Sequence, residues 1–182
     1  MRLGESVKKQ LRLNLLGVIL FTVICAASPR AHADQSAEAG VYKFKEAGIQ
    51  FAVPTGWSVE VEDSAVKVSP KAGGMAQVAF IALPIATSIS ASDRRDLFDQ
   101  IVEKSKPADA KLGDYVDNET MGGMRVTLRA YEGTNNGHNV QGMYFLLSAQ
   151  KLVAIVLVID KAAGEALNKD AETIINSVKK IE

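Results

Sequence analysis

Apolar and polar residues alternate over residues 41–45 and again over Ile49–Val53, with Glu46, Ala47 and Gly48 between the two runs. Two alternating runs around a short glycine-containing link predict a β-hairpin, with Gly48 free to take a positive φ. Pro54-Thr55-Gly56 marks the next turn. Trp57–Glu62 alternates again, placing Trp57, Val59 and Val61 on one face and Glu60 and Glu62 on the other. Asp63-Ser64 turns into a strand over 65–69, and Pro70 and Gly73-Gly74 break the chain before an apolar run over 75–83. The first half therefore predicts a meander of four or five antiparallel strands.

After Pro84 the period changes. Leu97, Phe98, Ile101 and Val102 share one stripe at helical spacing. Ser90 or Ser92 can cap that helix, Asp93 suits its positive N-terminal dipole, and Pro107 closes the segment. Strand periodicity then returns. Met124, Val126, Leu128 and Ala130 face one way, and Arg125, Thr127 and Arg129 the other. Residues 133–139 (GTNNGHN) form a turn cluster, and 140–149 supply the partner strand. Residues 152–159 (LVAIVLVI) are unbroken apolar, which fits a strand buried on both faces. Asp160 is expected to cap a final helix on which Leu167, Ala171, Ile174, Ile175 and Val178 share a face. A strand apolar on both faces implies a mostly antiparallel sheet with helices against both of its faces.

The N-terminus sets the compartment. Arg2, Lys8, Lys9 and Arg12 precede an apolar run from residue 13 to 27, and Ala31-His32-Ala33 supplies small residues at −3 and −1. That order reads as a secretory signal peptide over residues 1–33, cleaved after Ala33 to leave Asp34 as the new N-terminus. The run is shorter than the about 20 apolar residues of a spanning helix. Cys25 follows Ile24 rather than a small residue, so acylation at that cysteine is not expected, and it leaves with the signal. The exported chain would then hold no cysteine and no disulfide, relying on its core instead.

Residues 34–40 (DQSAEAG) read as a short flexible leader, and 41–182 as a single α/β domain. Five of the 21 basic residues and one of the 21 acidic residues fall in the first 33, leaving 16 basic against 20 acidic, a net −4. A mildly acidic domain without Lys/Arg blocks is a poor candidate for nucleic acid or an anionic membrane.

Gly48-Ile49-Gln50-Phe51-Ala52-Val53-Pro54-Thr55-Gly56-Trp57, a short strand running into Pro-x-Gly-Trp, resembles the opening of PsbP-like domains. Ile174-Ile175-Asn176-Ser177-Val178-Lys179 is similar to their C-terminal helix, and the resemblance covers residues 41–182. It implies an α+β fold, a three-layer α/β/α sandwich around a mostly antiparallel sheet of about six or seven strands. It also implies a role in binding other proteins rather than catalysis. It assigns no functional residue, because a shared fold does not carry a shared function.

Candidate chemistry is sparse. His138 is the one histidine after residue 33 and sits in the Asn/Gly-rich turn, where a partner to orient it is not expected. No G-x-S-x-G, H-E-x-x-H or Walker loop occurs. Glu60 and Glu62 read as a solvated strand face, and Asp114, Asp117 and Glu119 lack the spacing of a calcium loop. Met75, Met121, Met124 and Met143 suit Cu(I) by ligand softness, and Met121-x-x-Met124 with His138 is the candidate set. A hairpin centred near Asn136 places Met143 opposite residue 128 or 129, about 13 Å along the strand from Met124. Core-filling methionine is the better account. No cofactor, metal or catalytic residue is assigned.

The resulting expectation is a periplasmic, non-enzymatic domain that binds another envelope protein as an accessory or chaperone-like factor. A small-ligand or lipid-binding module is the alternative. Arg125, Thr127, Arg129 and Tyr131 are the expected partner surface.

Overall fold

The computed structural model describes residues 40–181. The expected signal and its cleavage residues Ala31, Ala33 and Asp34, together with Cys25, lie outside the described residues. Gly40, assigned to the leader, instead opens the first strand. The described residues fall into two compact units. One is a helix within residues 89–106, and the other takes in residues 40–88 and 107–181.

The helix, α1 (Ala91–Ser105), follows the sequence closely. Ser90 Oγ accepts from the Asp93 backbone N–H at 3.1 Å, Asp93 lies in the first turn and Lys104 in the last. Leu97, Phe98, Ile101 and Val102 are buried along one stripe, as their spacing predicts. Lys106 ends the helix in extended conformation before Pro107.

The second unit is an α+β fold dominated by antiparallel pairing. Its larger sheet has seven strands. The members are β3 (Trp57–Glu62), β4 (Ala65–Pro70), β5 (Ala76–Leu83), β6 (Lys111–Met121), β7 (Met124–Asn135), β8 (His138–Ser148) and β9 (Leu152–Asp160). Their order is β3-β4-β5-β9-β8-β7-β6, every pairing antiparallel. The apolar runs of β5 and β9 occupy the middle. Alternate residues Val153, Ile155, Leu157 and Ile159 of β9 join the core on one face, while Leu152 and Ala154 are buried on the other. Val156 and Val158 are only half-buried, so the opposite face is less completely covered than the composition predicts.

The expected meander is cut after its second strand. β1 (Gly40–Phe44) and β2 (Ile49–Val53) form the predicted hairpin, with Gly48 at φ 71°. They do not continue into the larger sheet. They pair instead with β10 (Lys179–Lys180) in a three-stranded sheet ordered β1-β2-β10. Pro54 has no N–H to extend a ladder, and Gly56, at φ 84°, swings the chain from one sheet to the other.

Strand β6 is absent from the sequence expectation. Its register against β7 shifts between Leu112 and Tyr115 and again between Val116 and Glu119. Each bulge inserts residues that break the period-two pattern, so its apolar residues no longer alternate.

The final helix, α2 (Glu165–Asn176), is capped by Gly164 rather than Asp160. Asp160 is the last residue of β9, and its Oδ1 accepts from the Ala162 N–H at 2.8 Å, organising the turn before the helix. Ala171, Ile174 and Ile175 are buried on one face of α2, and Val178 stays buried beyond its end. α2 lies against β2 and β5. Phe51 of β2 stacks on Phe80 of β5 with centroids 4.1 Å apart and planes 5° from parallel. The core cluster thus draws its residues from one face of the large sheet, from α2 and from the small sheet.

Candidate functional site

Three places gather groups that can do chemistry or binding. The first is the tip of the β7–β8 hairpin. The predicted seven-residue turn shrinks to Asn136-Gly137, at φ 49° and 81°, and β7 and β8 run up to it on both sides. Two consecutive positive-φ residues match the twist of the flanking strands, so the ladder continues through residues expected to be loop.

His138 therefore starts a strand, and it has a partner. Its Nδ1 lies 2.8 Å from Asp160 Oδ2, correcting the expectation of an unpartnered loop histidine. The tautomer with hydrogen on Nδ1 donates to the carboxylate. Around this pair, Asp109 Oδ1 accepts from the Thr134 N–H at 2.9 Å and Lys161 pairs with Glu132 at 2.7 Å. The Ala162 N–H first, and His138 second, hold the Asp160 carboxyl below its ordinary range. The Thr134 N–H does the same for Asp109, and Lys161 for Glu132. Asp109, Lys111, Glu132, Thr134, Asn139 and Lys161 line an open depression of about 180 Å³.

An oriented imidazole is one part of a nucleophilic set, which also needs a hydroxyl or thiol within about 2.6–3.2 Å of the ring. Among the described residues no such group bonds to His138, and the ring is 54% exposed. The arrangement is a polar clasp that ties the hairpin tip to the end of β9.

The second place is an open cavity of about 410 Å³ lined by Lys45, Gly48, Ala149, Gln150, Lys180 and Ile181. It opens where the β1–β2 turn meets the β8–β9 turn, and Lys151 ties the two by an ion pair to Glu46 at 3.1 Å. Gly48 is required twice over. Its φ is positive, and a Cβ there would meet the Gln150 Cβ at 2.6 Å.

The third comprises the outer strands of the large sheet, β3 and β6. The bulges of β6 blunt its edge. β3 pairs regularly with β4 along its whole length, and Val61 near its end is 52% exposed. Glu60, on the opposite face, pairs with Lys67 across the strands at 3.4 Å, the solvated role expected of it.

The expected partner surface on β7 is rearranged. Thr127 and Tyr131 are buried, at 0% and 3% exposure, and cannot present themselves to a partner. Thr127 Oγ1 donates to Asp117 Oδ1 at 2.7 Å, and Arg125 Nη2 to Asp117 Oδ2 at 2.8 Å. Arg129 Nε donates to the Gly113 carbonyl at 2.8 Å. The arginines are thus tied down onto β6, the strand the sequence pattern hides. Tyr131 stacks on Tyr144 and donates to the Leu157 carbonyl at 3.3 Å, and burial pushes its phenol well above the ordinary range.

The methionines do not converge with the histidine. Met143 pairs with Ala130, further from Met124 than the expected 128 or 129. Met121 and Met124 face each other at one end of β7, and His138 lies opposite Asn135 at the other. Eleven strand residues separate those ends, about 36 Å at the usual rise. Met124 is buried in the core, with Met121 and Met143 packed against it.

No protein-family model matches the chain, and no curated protein matches it. Solved structures do resemble it. A protein from Bacteroides thetaiotaomicron superposes with a TM-score of 0.53 at 12% identity, over 80% of this chain and 49% of its own. The chain thus spans about half of that protein, and the likeness is one of fold. LpqN of Mycobacterium tuberculosis, described as involved in cell envelope biogenesis, gives a TM-score of 0.42 at 13% identity, over 85% of this chain and 90% of its own. The T6SS immunity protein TplEi of Pseudomonas aeruginosa gives 0.43 at 14%, over 85% and 53%. At these TM-scores the latter two likenesses carry no weight for function.

Proposed function

We propose that this chain is an exported, non-enzymatic accessory protein that binds another protein of the envelope. On this reading residues 1–33 are removed after Ala33 and the remainder works in the periplasm on the three-layer sandwich of PsbP-like domains. The observation that carries it is the outer edge of β3. Among the described residues, β3 is a regular, unbulged edge strand with an exposed valine near its end. An open edge of that kind accepts an extended segment of a partner by strand addition.

The test is mild cross-linking in the native envelope, capture of the tagged protein and identification of what comes with it. A stoichiometric partner is expected, with less of it captured by a Val61→Lys variant that still folds. Capture unchanged by Val61→Lys would remove the β3 edge from the proposal, and a clean domain without partner would remove the proposal itself.

The open cavity beside Gln150 favours one second reading, a small-ligand module. A ligand specific for the native state would raise the melting temperature by mass action in a thermal-shift screen.

A further inference from the structure

The three-stranded sheet concentrates positive charge that neither composition nor sequence order displays. Lys43 of β1 and Lys179 of β10 both have Gln50 of β2 as their cross-strand partner. The two lysines therefore flank one position, two strand spacings or about 10 Å apart. Lys180 is in the next row, paired with Ile49, and Lys45 follows β1 directly. Lys45 and Lys180 together line the cavity of about 410 Å³. All four are exposed, and none makes an ion pair with a described residue.

Among the described residues, the three strands themselves offer nothing to neutralise this charge. The strands GVYKF, IQFAV and KK contain no acidic residue. Glu46, the acid of the β1–β2 turn, is taken up by Lys151. Elsewhere Lys67, Lys106, Arg125 and Lys161 each have a carboxylate partner. The residues expected after export carry a net −4, so four unpaired lysines at one sheet mark a local departure rather than the general charge. On the outward face of the same sheet Val41 is 63% exposed, two positions from Lys43 and so on its side of the strand. The inward residues Phe44, Ile49, Phe51 and Val53 belong to the core.

We propose that this lysine-rich sheet docks the exported protein on the anionic phospholipid surface of a membrane. Clustered lysines of this number are drawn to anionic headgroups, the attraction fading within a Debye length. Lys43 and Lys179 share the outward face with Val41 and meet the headgroups there, while Lys180, one row on beside inward Ile49, and Lys45 add their charge at the cavity rim at the end of the sheet. The net negative charge of the rest of the domain opposes adsorption in any other orientation, so the sheet also sets which way the domain faces.

The experiment is sedimentation of the purified exported protein with vesicles rich in phosphatidylglycerol, and with neutral phosphatidylcholine vesicles, at low and at raised salt. Binding to the anionic vesicles alone, weakened by salt, is the expected result. Lys43→Glu/Lys179→Glu should lower it by about tenfold or more. Lys71→Glu/Lys169→Glu, the same charge change at exposed lysines away from the sheet, should leave most of it, with circular dichroism confirming that both variants fold. Absence of binding, equal binding to neutral vesicles, or equal loss in the two variants would each overturn the proposal. So would a sheet variant that still binds vesicles but no longer captures an acidic envelope protein, which would assign the lysines to that protein. Each of these outcomes is separable from the cross-linking result at the β3 edge.

Discussion

The indole Nε1 of Trp57 donates to Asp170 Oδ2 at 2.9 Å, joining the start of β3 to α2 across 113 residues of chain. Trp57 is 2% exposed, so its N–H has been taken from water and depends on this carboxylate. The Pro-x-Gly-Trp turn and the C-terminal helix are therefore in direct contact.

Asp170→Ala leaves that buried N–H without a partner, and the cost should be about 1–3 kcal/mol. Urea unfolding monitored by tryptophan fluorescence measures it, since Trp57 is the one tryptophan. A midpoint unchanged from the parent would mean that the bond contributes nothing net.

Gly142→Ala tests how tightly β8 is enclosed. A Cβ there would run into the Leu157 carbonyl oxygen and meet the Tyr131 ring at 2.6 Å. Backbone cannot yield as a flexible side chain can, so the loss should reach about 3 kcal/mol or more. Gly113→Ala, whose Cβ would meet Ala130 at an ordinary 3.6 Å, is the control and should change stability little. Equal effects at the two positions would refute the steric account.

Phe80→Ala removes the ring that stacks on Phe51 at the join between the two sheets. Both rings are buried, and truncation should cost about 3–5 kcal/mol through lost transfer energy and the cavity left behind. Hydrogen exchange should then show β1 and β2 loosening more than β7 and β8. Uniform loosening would mean that the small sheet is not held chiefly by this contact.

The hairpin tip predicts an acid limb. Asp109, Glu132 and Asp160 all titrate below their ordinary range in the folded chain. A depressed folded-state pKa adds stability above the unfolded value of about 4, and that stability is lost as pH falls through the folded values. Stability should hold from neutral pH down to about 4 and decline below it. Asp109→Asn/Asp160→Asn should flatten that decline, and an acid limb of the same steepness in the double variant would show that these carboxylates do not control it.

Much of the fold was legible in the sequence because it is local. Gly48 and Gly56 bend the chain where their positions predict, Ser90 caps α1, and the apolar run at 152–159 became a central strand. Period-two and helical stripes report which face of an element is buried, and that information lies within a few residues. The hairpin tip was readable only as a turn. Its Asn-Gly pair at 136–137 was the signal for a two-residue connection, which would have placed His138 in a strand and Met143 opposite Ala130.

What the sequence determined by itself was the set of elements and the side each one buries. Tertiary structure decided what those sides meet. It moved β1 and β2 out of the meander into a sheet with β10, and it placed Asp117 of the bulged strand β6 under Arg125 and Thr127. It also set Asp160 beside His138 and brought Lys43 within two strands of Lys179. Each of these joins residues far apart along the chain, and a bulge adds a residue that shifts every later side chain to the other face. Net charge and periodicity sum or average along the chain, so neither can register a patch that exists only where distant strands pair.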